Sequence, residues 1–221
     1  NDVYEDISSK NSTIFFKSKL TNSEKSIFLN NGSNLKEIIK ISNKLNLSHL
    51  ALDIDINKTN FIKDIALSSL FLNIARDYIG KKEISVSGQC YISNPKSASE
   101  KEKQDNAQYF HYDNDFKKFL KIFIYLSDVN FESGPHSFVQ YSHNKKKFKH
   151  LISKRLNDSE IIDSYGKENI KEFNLPKGSV IFEDTFGLHK GTFPTKKTRA
   201  LLILIYGYGE GTGVFKYSIK N

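Results

Sequence analysis

The tripeptide His111-Tyr112-Asp113 places an imidazole and a carboxylate two positions apart. On an extended strand, residues i and i+2 project to the same face, so both groups would point into one space while Tyr112 points away. One neutral nitrogen ligand and one anionic oxygen ligand are two-thirds of the two-histidine, one-carboxylate site that binds Fe(II) and leaves positions open for substrates. The pattern alone is a weak signal, because a surface His-Asp pair or a buried histidine oriented by a carboxylate has the same sequence.

A complete site of this kind needs a second histidine from a distant strand. His136 and His143 follow the His-x-Asp segment so closely that little chain is available to cross to an opposite sheet. His150 falls in a lysine-rich stretch, where we expect it to be solvated. His189 follows a strand-like segment and a turn, 76 positions (189 − 113) after Asp113. It is therefore the best-placed third ligand.

Arg199 follows His189 by ten positions and immediately precedes the most apolar stretch of the chain, residues 200–206. If the strand there extends back to include Arg199, its side chain heads an apolar, inward face. A buried guanidinium needs an anionic partner, and its planar fork suits a carboxylate held through two hydrogen bonds. Two interpretations stay open: an internal salt bridge to Asp or Glu, or a carboxylate-bearing cosubstrate lying between Arg199 and the metal.

The elements that must position these residues change character along the chain. Residues 1–80 are expected to form a helical flank, since apolar residues recur there at helical spacing and capping residues stand at the expected ends. The predicted helices begin at Thr21 or Asn22, at Ser33 or Asn34, and at Thr59 or Asn60, and the last of them ends at Gly80 in a left-handed cap.

From residue 83 onward the sequence favours strands, which are predicted at 83–92, 109–113, 119–126, 137–141, 180–183 and 200–206. The polar segments 94–106 and 144–166 are expected to be loops, the second with a short helix after Asp158. Helices followed by many short strands favour an α+β or mainly β fold with a jelly-roll core. We expect a single domain over residues 1–221, with the core at 83–208.

Charge and composition narrow the class of partner. The chain carries 33 Lys and Arg against 25 Asp and Glu, but the lysines are scattered and not interleaved with arginine and aromatic residues, so no nucleic-acid partner is expected. No apolar stretch approaches the ~18–20 residues of a membrane helix, and no membrane association is expected. The lone Cys90 cannot form an internal disulfide. These features together favour a cytoplasmic protein.

An ordered series of motifs makes the interpretation more specific. It runs Gln108-Tyr-Phe-His111-Tyr-Asp113, Leu120-Lys-Ile-Phe-Ile-Tyr-Leu-Ser-Asp128-Val, Glu132-Ser-Gly134-Pro135, Ser142-His143, Gly178-Ser-Val-Ile-Phe-Glu-Asp184-Thr, His189-Lys-Gly191 and Arg199. This series resembles the phytanoyl-CoA dioxygenase family of Fe(II)- and 2-oxoglutarate-dependent oxygenases over roughly residues 83–208. The helical first third is similar to that family only in character.

The resemblance implies a double-stranded β-helix (jelly-roll, cupin-like) core and an enzyme that uses Fe(II), 2-oxoglutarate and O₂. It implies that His111, Asp113 and His189 are the iron ligands, and that Arg199 binds the distal carboxylate of 2-oxoglutarate. Further contacts to cosubstrate or substrate are implied for Thr192, Gln108, and Ser93 or Asn94. The pair Ser142-His143 matches a family position that is structural or lines the pocket.

Two details bear on the reaction. Halogenating relatives replace the carboxylate ligand with a small residue, whereas Asp113 is present here, so hydroxylation of a small molecule with release of succinate and CO₂ is favoured. Ile205 stands where AlkB-like nucleic-acid demethylases carry a second arginine. The basic segments make an anionic substrate one candidate, and the sequence does not indicate an oligomeric state. The competing hypothesis is a non-catalytic jelly-roll protein that binds a metal or a sugar.

Overall fold

The protein was analysed as a computed structural model, which describes residues 14–16, 18, 20–31, 34–96, 108–152, 155–211 and 216–219. The strands in these residues are β1 (Ile14–Phe16), β2 (His49–Ile54), β3 (Ile84–Ser93), β4 (Phe116–Tyr125), β5 (His136–Val139), β6 (Ile170–Phe173), β7 (Val180–Glu183), β8 (His189–Gly191), β9 (Arg199–Gly211) and β10 (Tyr217–Ile219). The α-helices are α1 (Asn22–Asn31), α2 (Leu35–Lys44), α3 (Asn60–Ala66), α4 (Ser69–Ile79), α5 (Phe148–Ile152) and α6 (Asp158–Tyr165).

The strands form two antiparallel sheets. The larger has the order β1-β2-β3-β9-β4-β7, with β10 also paired to β3, and the smaller has the order β6-β5-β8. The predicted jelly-roll fold is confirmed. Helices pack on the outer face of the large sheet, where they share one apolar core with the residues of β3 and β9 that point that way.

Alternation along β9 sorts its side chains between the two faces. Leu202 and Leu204 lie in the core shared with the helices, whereas Leu201, Ile203 and Ile205 belong to a second apolar cluster on the inner face. The strand begins at Arg199, so this residue does share the inner face, as the sequence predicts. That face is the surface on which a site can be built.

The helices begin where the sequence predicts, and caps form at the start of α2 and the end of α4, although the Thr59 side chain does not cap α3. The Asn34 side chain accepts a hydrogen bond from the Glu37 amide at the start of α2, and Gly80 closes α4 with φ 71°. The single helix predicted to end at Gly80 is instead two, because the chain breaks at Leu67 and Ser68 between α3 and α4. Residues 109–113 form only isolated bridges, not a full strand.

The prediction of a wholly helical flank over residues 1–80 is wrong at β1 and β2. Residues of β2 alternate: Leu50, Leu52 and Ile54 pack against the helices, while Asp53 faces the other way. This period of two is the strand signal, and the sequence interpretation missed it because the segment lies between two helices. Most of the predicted loop 94–106 lies outside the described residues. In the described residues no helix is long and apolar enough to cross a membrane.

Candidate metal centre and cosubstrate site

The backbone of the His-x-Asp segment pairs directly with the start of β8. The His111 amide donates to the His189 carbonyl over 3.0 Å, and the His189 amide donates back to His111 over 2.9 Å. The Asp113 amide donates to the Thr185 carbonyl over 2.8 Å, a further contact between the same two stretches of chain. The isolated bridge brings residues that are 78 positions apart (189 − 111) side by side.

The three predicted ligands converge on one space. His111, Asp113 and His189 each offer one ligand atom, and these atoms all lie within 4.8 Å of one another. The Nε2 atom of His189 is 3.2 Å from Asp113 Oδ2, and that of His111 is 3.8 Å from Oδ1. Two imidazoles and one carboxylate at this separation form the facial set that suits Fe(II).

Both imidazoles are fixed in the tautomer that a metal needs. The Nδ1 atom of His111 lies 2.9 Å from the Tyr109 carbonyl, and Nδ1 of His189 lies 3.0 Å from the Gly187 carbonyl. A carbonyl only accepts hydrogen bonds, so each Nδ1 carries a proton and each Nε2 is the ring atom left to bind a metal.

Burial and neighbouring charges set the protonation of the metal-free site. Burial, helped by the nearby His189, lowers the pKa of His111 to about 3. Burial also opposes charge on His189 and Asp113, but these two groups stabilise one another: the pKa of His189 is raised, and that of Asp113, which also faces Lys121, is held well below its usual range. A metal ion would therefore displace a proton from the pair that His189 forms with Asp113.

Lys121 is a member of the site that sequence reasoning missed. Its buried ammonium lies 2.7 Å from Asp113 Oδ2 and 2.6 Å from Asp115 Oδ2. Burial disfavours its charge, yet the two carboxylates raise the pKa of Lys121 above its usual value. The available signal was a lysine at an inward position of the apolar run 119–124, where a buried cation needs anionic partners.

His136 also lies in the site, and the reason given for excluding it was wrong. It stands on β5, which pairs with β8, so the short chain does reach the opposite sheet. Its ring centroid is 5.6 Å from that of His189. Its Nε2 atom, however, faces the buried carboxylate of Glu183 at 2.9 and 3.1 Å, which directs it away from the three ligand atoms.

In the pair Ser142-His143, the serine has a structural role. The Ser142 hydroxyl donates to the Val139 carbonyl and accepts from the Leu188 amide, both over 2.7 Å, and so fixes the chain just before His189. The expectation that His150 is solvated is wrong: it is buried, with Nδ1 3.0 Å from the Tyr165 hydroxyl.

Arg199 is buried and has no carboxylate partner among the described residues. Its Nη1 donates to the carbonyls of Gly134 and, over 3.3 Å, Thr192; its Nη2 lies 3.5 Å from Ser93 Oγ; its buried Nε has no partner in the described part of the chain. Burial lowers the pKa of Arg199 to about 10, so it keeps its charge at neutral pH. The internal salt bridge considered above is thus not found there.

Gly191 makes room for this guanidinium. A Cβ atom at Gly191 would lie 2.9 Å from Arg199 Nη2, closer than real side chains approach. The glycine that follows His189 by two positions therefore leaves space for the guanidinium of Arg199, which lines the cavity described below.

Of the other residues predicted to contact cosubstrate or substrate, only Ser93 has its side chain hydrogen-bonded to Arg199. Thr192 Oγ1 and Gln108 Oε1 are buried without a partner among the described residues, but neither residue lines the cavity in which the ligands lie. Ser93 is beside Arg199, whereas Asn94 donates its amide nitrogen to the Ser42 hydroxyl and to the Leu47 carbonyl, just after α2. The roles of Thr192 and Gln108 remain predictions.

The three ligand atoms and Arg199 open into one cavity of about 780 Å³ between the two sheets. On the large sheet its wall combines Leu201, Ile203 and Phe123 with the charged Arg199 and Lys121 of the same two strands, β9 and β4. A cavity of this size, lined by both apolar and polar groups, is typical of a small-molecule site.

Comparison with known proteins places the chain in a family. The model of the phytanoyl-CoA dioxygenase (PhyH) family matches residues 18–196. The chain belongs to this family. The match begins before α1, so the resemblance reaches into the helical first third, beyond the region that the motifs alone indicated. It ends before Arg199, whose assignment therefore depends on the structure and the motif series.

Solved structures share the fold of this PhyH-family chain at low sequence identity. HygX from Streptomyces hygroscopicus, with nickel, 2-oxoglutarate and hygromycin B bound, is 17% identical, with a TM-score of 0.53 over 85% of this chain and 87% of that one. EctD from S. alaskensis with bound Fe is 13% identical, with a TM-score of 0.57 over 89% and 72%. SnoK, a non-haem α-ketoglutarate-dependent carbocyclase of nogalamycin biosynthesis, is 14% identical, with a TM-score of 0.53 over 95% and 92%. No curated protein matches the sequence.

Family membership and the His-Asp-His set together support an Fe(II)- and 2-oxoglutarate-dependent oxygenase. The residues present fit both groups. The ligand set suits Fe(II), and a buried guanidinium that has no carboxylate partner among the described residues, in the same cavity, suits the distal carboxylate of the cosubstrate.

Proposed function

We propose that this protein is an Fe(II)- and 2-oxoglutarate-dependent dioxygenase that hydroxylates an anionic small molecule, with release of succinate and CO₂. The observation that carries the proposal is a shared cavity: His111, Asp113, His189 and Arg199 all line the same space between the two sheets. We further propose that residues 1–221 act as one oxygenase domain, which the pairing of β2 with β3 in the large sheet supports.

Each residue has a definite task in this proposal. His111, Asp113 and His189 would hold the iron, and a three-residue ligand set would leave positions for the cosubstrate and O₂. Arg199 fixes the distal carboxylate of 2-oxoglutarate and so orients it towards the metal. Iron and cosubstrate together supply the oxidising chemistry, while the apolar wall at Leu201 excludes water.

Charge supports an anionic substrate. The described residues that line the cavity include four cationic side chains, Lys96, Lys121, Arg155 and Arg199, against two carboxylates, Asp113 and Asp115. The site therefore carries two positive charges in excess. Fe(II) and the dianion of 2-oxoglutarate would cancel one another, so the excess persists in the loaded enzyme and favours a negatively charged substrate.

Asp113 supports hydroxylation over halogenation, since it occupies the position that a halide would need. The fold itself does not decide the reaction, because function depends on the site and not on the jelly roll. Within the proposal, the oxygen atom added to the substrate comes from O₂.

The test is a screen for succinate release with Fe(II), 2-oxoglutarate and a panel of anionic metabolites, with His189→Ala as the blank. We expect at least one metabolite to raise succinate release above the slow uncoupled rate, and its product to gain one oxygen atom from ¹⁸O₂ by mass spectrometry. If the wild-type protein binds metal yet gives no succinate above the blank under any condition, the non-catalytic jelly-roll hypothesis is favoured instead.

A further inference from the structure

The inner face of the large sheet changes character across its width. Over β9 and β4 the cavity wall is apolar at Leu201, Ile203 and Phe123, apart from the charged Arg199 and Lys121, whereas over β2 and β3 it carries the polar side chains of His49, Gln89 and Tyr91. Asp53 stands opposite Gln89, and Gln89 stands opposite Ile203, so the change occurs within one row of cross-strand partners. Tyr91, two residues after Gln89 on the same face, lines the cavity with it.

These three polar side chains form a directed hydrogen-bond relay. Gln89 Nε2 donates to Asp53 Oδ1 over 2.9 Å, and the Tyr91 hydroxyl donates to Gln89 Oε1 over 2.9 Å. A carboxylate only accepts hydrogen bonds, so the amide nitrogen must face Asp53 and the amide oxygen must face Tyr91. The proton of Tyr91 is thereby committed to Gln89, so towards any further group the phenol oxygen acts as an acceptor.

Such a relay is costly as a purely structural feature. Gln89 and Asp53 are both buried, and burying polar groups is tolerated only while each is hydrogen-bonded. The neighbouring row on β9 shows that this face can be closed with aliphatic residues. A directed polar wall facing a cavity instead suits recognition of a hydrogen-bond donor on a ligand.

The charge of the cavity selects the kind of donor. An ammonium group would also donate to Tyr91, but the cavity lining already has two positive charges in excess, with Lys96 and Arg155 among its cations. One positive charge in excess remains when the carboxylate of Asp53 behind the wall is counted as well. A hydroxyl group donates without adding charge. The same cations suit an anionic group elsewhere on the same molecule.

We propose that Tyr91, Gln89 and Asp53 form a hydroxyl-recognition subsite, and that the substrate is a hydroxyl-bearing anion of the sugar-phosphate or sugar-acid class. This inference rests on the proposed function, because it names the substrate class of that same cavity. His49 extends the subsite: its ring centroid is 5.3 Å from that of Tyr91, and its Nδ1 lies 3.2 Å from Ser93 Oγ, which is next to Arg199.

The experiment compares matched anions that differ in their hydroxyl groups. D-Glucose 6-phosphate is paired with hexyl phosphate, and D-gluconate with hexanoate; the two pairs also separate a phosphate from a carboxylate. Binding to the protein loaded with Mn(II) and 2-oxoglutarate is measured by calorimetry without O₂, so the readout does not depend on turnover. We expect the hydroxylated member of at least one pair to bind about tenfold more tightly than its alkyl counterpart.

The variants test whether the relay causes that preference. Tyr91→Phe keeps the ring and should weaken the hydroxylated anion by about three- to tenfold, the loss of one hydrogen bond, while the alkyl anion is unaffected. Gln89→Met, which releases the Tyr91 proton, should reduce the same preference. Tyr208→Phe is the control, because Tyr208 is exposed on the outer part of β9.

The outcomes are distinct. If the alkyl anions bind as well as their hydroxylated partners, or if Tyr91→Phe weakens both members of a pair equally, the subsite is wrong even though 2-oxoglutarate still binds. If the Mn(II)-loaded wild-type protein fails to bind 2-oxoglutarate at all, the proposed function fails first, and the subsite with it.

Discussion

His111 and His189 are direct cross-strand partners: each donates its backbone amide to the carbonyl of the other, over 3.0 and 2.9 Å. Their rings therefore project to the same face, with centroids 4.3 Å apart. Asp113 reaches that face because it lies two residues further along the same extended segment. The whole candidate centre is thus set by one pairing register, and a slip of one residue would turn the ligands away from each other.

Replacing one ligand should abolish tight metal binding. We expect His189→Ala to lower the affinity for Mn(II) by more than about 100-fold, because losing a ligand should cost more than the 10–100-fold typical of its hydrogen-bonding partners. Calorimetric titration of the metal-free protein gives this value. His136→Asn is the matched control in the same cavity, and it should retain tight binding; an equal loss there would make His136 a ligand.

Removing the guanidinium should separate cosubstrate binding from metal binding. We expect Arg199→Met to weaken 2-oxoglutarate binding to the Mn(II)-loaded protein by at least about 2 kcal/mol, or roughly 30-fold, since a buried carboxylate would lose its charged partner. The affinity for Mn(II) alone should not change. The 2-oxoglutarate affinity of Arg199→Lys should lie between those of wild type and Arg199→Met, because lysine keeps the charge but cannot form two parallel hydrogen bonds to a carboxylate. Undiminished 2-oxoglutarate binding by Arg199→Met would refute this assignment.

Lys121 and a metal ion should stabilise the same carboxylates. Without the Lys121 ammonium, Asp113 and Asp115 are left as partly buried carboxylates without their cation. We expect Lys121→Met to destabilise the metal-free protein by about 3–5 kcal/mol, and Mn(II) to restore much of that loss. The gain in melting temperature on adding Mn(II) should therefore be larger for Lys121→Met than for wild type.

The exposed Lys117, on the same strand, provides the control for this substitution. Lys117→Met should leave both the metal-free stability and the Mn(II)-induced gain as in wild type. Equal gains in all three proteins would mean that Lys121 does not share its carboxylates with the metal.

The metal-free protein should lose stability on mild acidification. The pKa of His111 is lowered to about 3, whereas the unfolded chain binds that proton near the ordinary value of 6.5. Between these values the unfolded state holds more protons than the folded state. The free energy of unfolding therefore decreases as the pH is lowered, by about 1.5 kcal/mol from pH 6.5 to pH 5. His189 has a raised pKa, so its stabilisation is complete below 6.5 and is lost as the pH rises through the folded value.

Urea unfolding of the metal-free protein across this range measures the effect. We expect the contribution of the site to be greatest near pH 6.5. His111→Asn should lack the loss between pH 6.5 and pH 5 and should keep the loss above 6.5. If His111→Asn still loses stability between pH 6.5 and pH 5 as wild type does, that loss comes from other groups.

How far the sequence predicts the site depends on how local each signal is. The relation of His111 to Asp113 is local, because an alternation of two holds on any extended segment. The position of Arg199 follows from the apolar strand that it begins. The place of His136 depends on β5 pairing with β8, a contact between distant segments that no local pattern contains, so chain length was a poor guide. Lys121 could be predicted as part of the site only by knowing that Asp113 and Asp115 both lie next to it, which depends on the folded structure.

The two imidazoles are oriented by carbonyls of their own chain, at Tyr109 and Gly187, each two residues before the histidine. A main-chain acceptor is the same whatever side chain stands at that position, so substitutions nearby can accumulate without disturbing either tautomer. Only the carboxylate ligand depends on a side chain, Lys121, for its nearest partner. Sequence drift around this centre should therefore be constrained more tightly at Lys121 than beside either histidine, and homologues that lose the lysine should show compensating changes at Asp115.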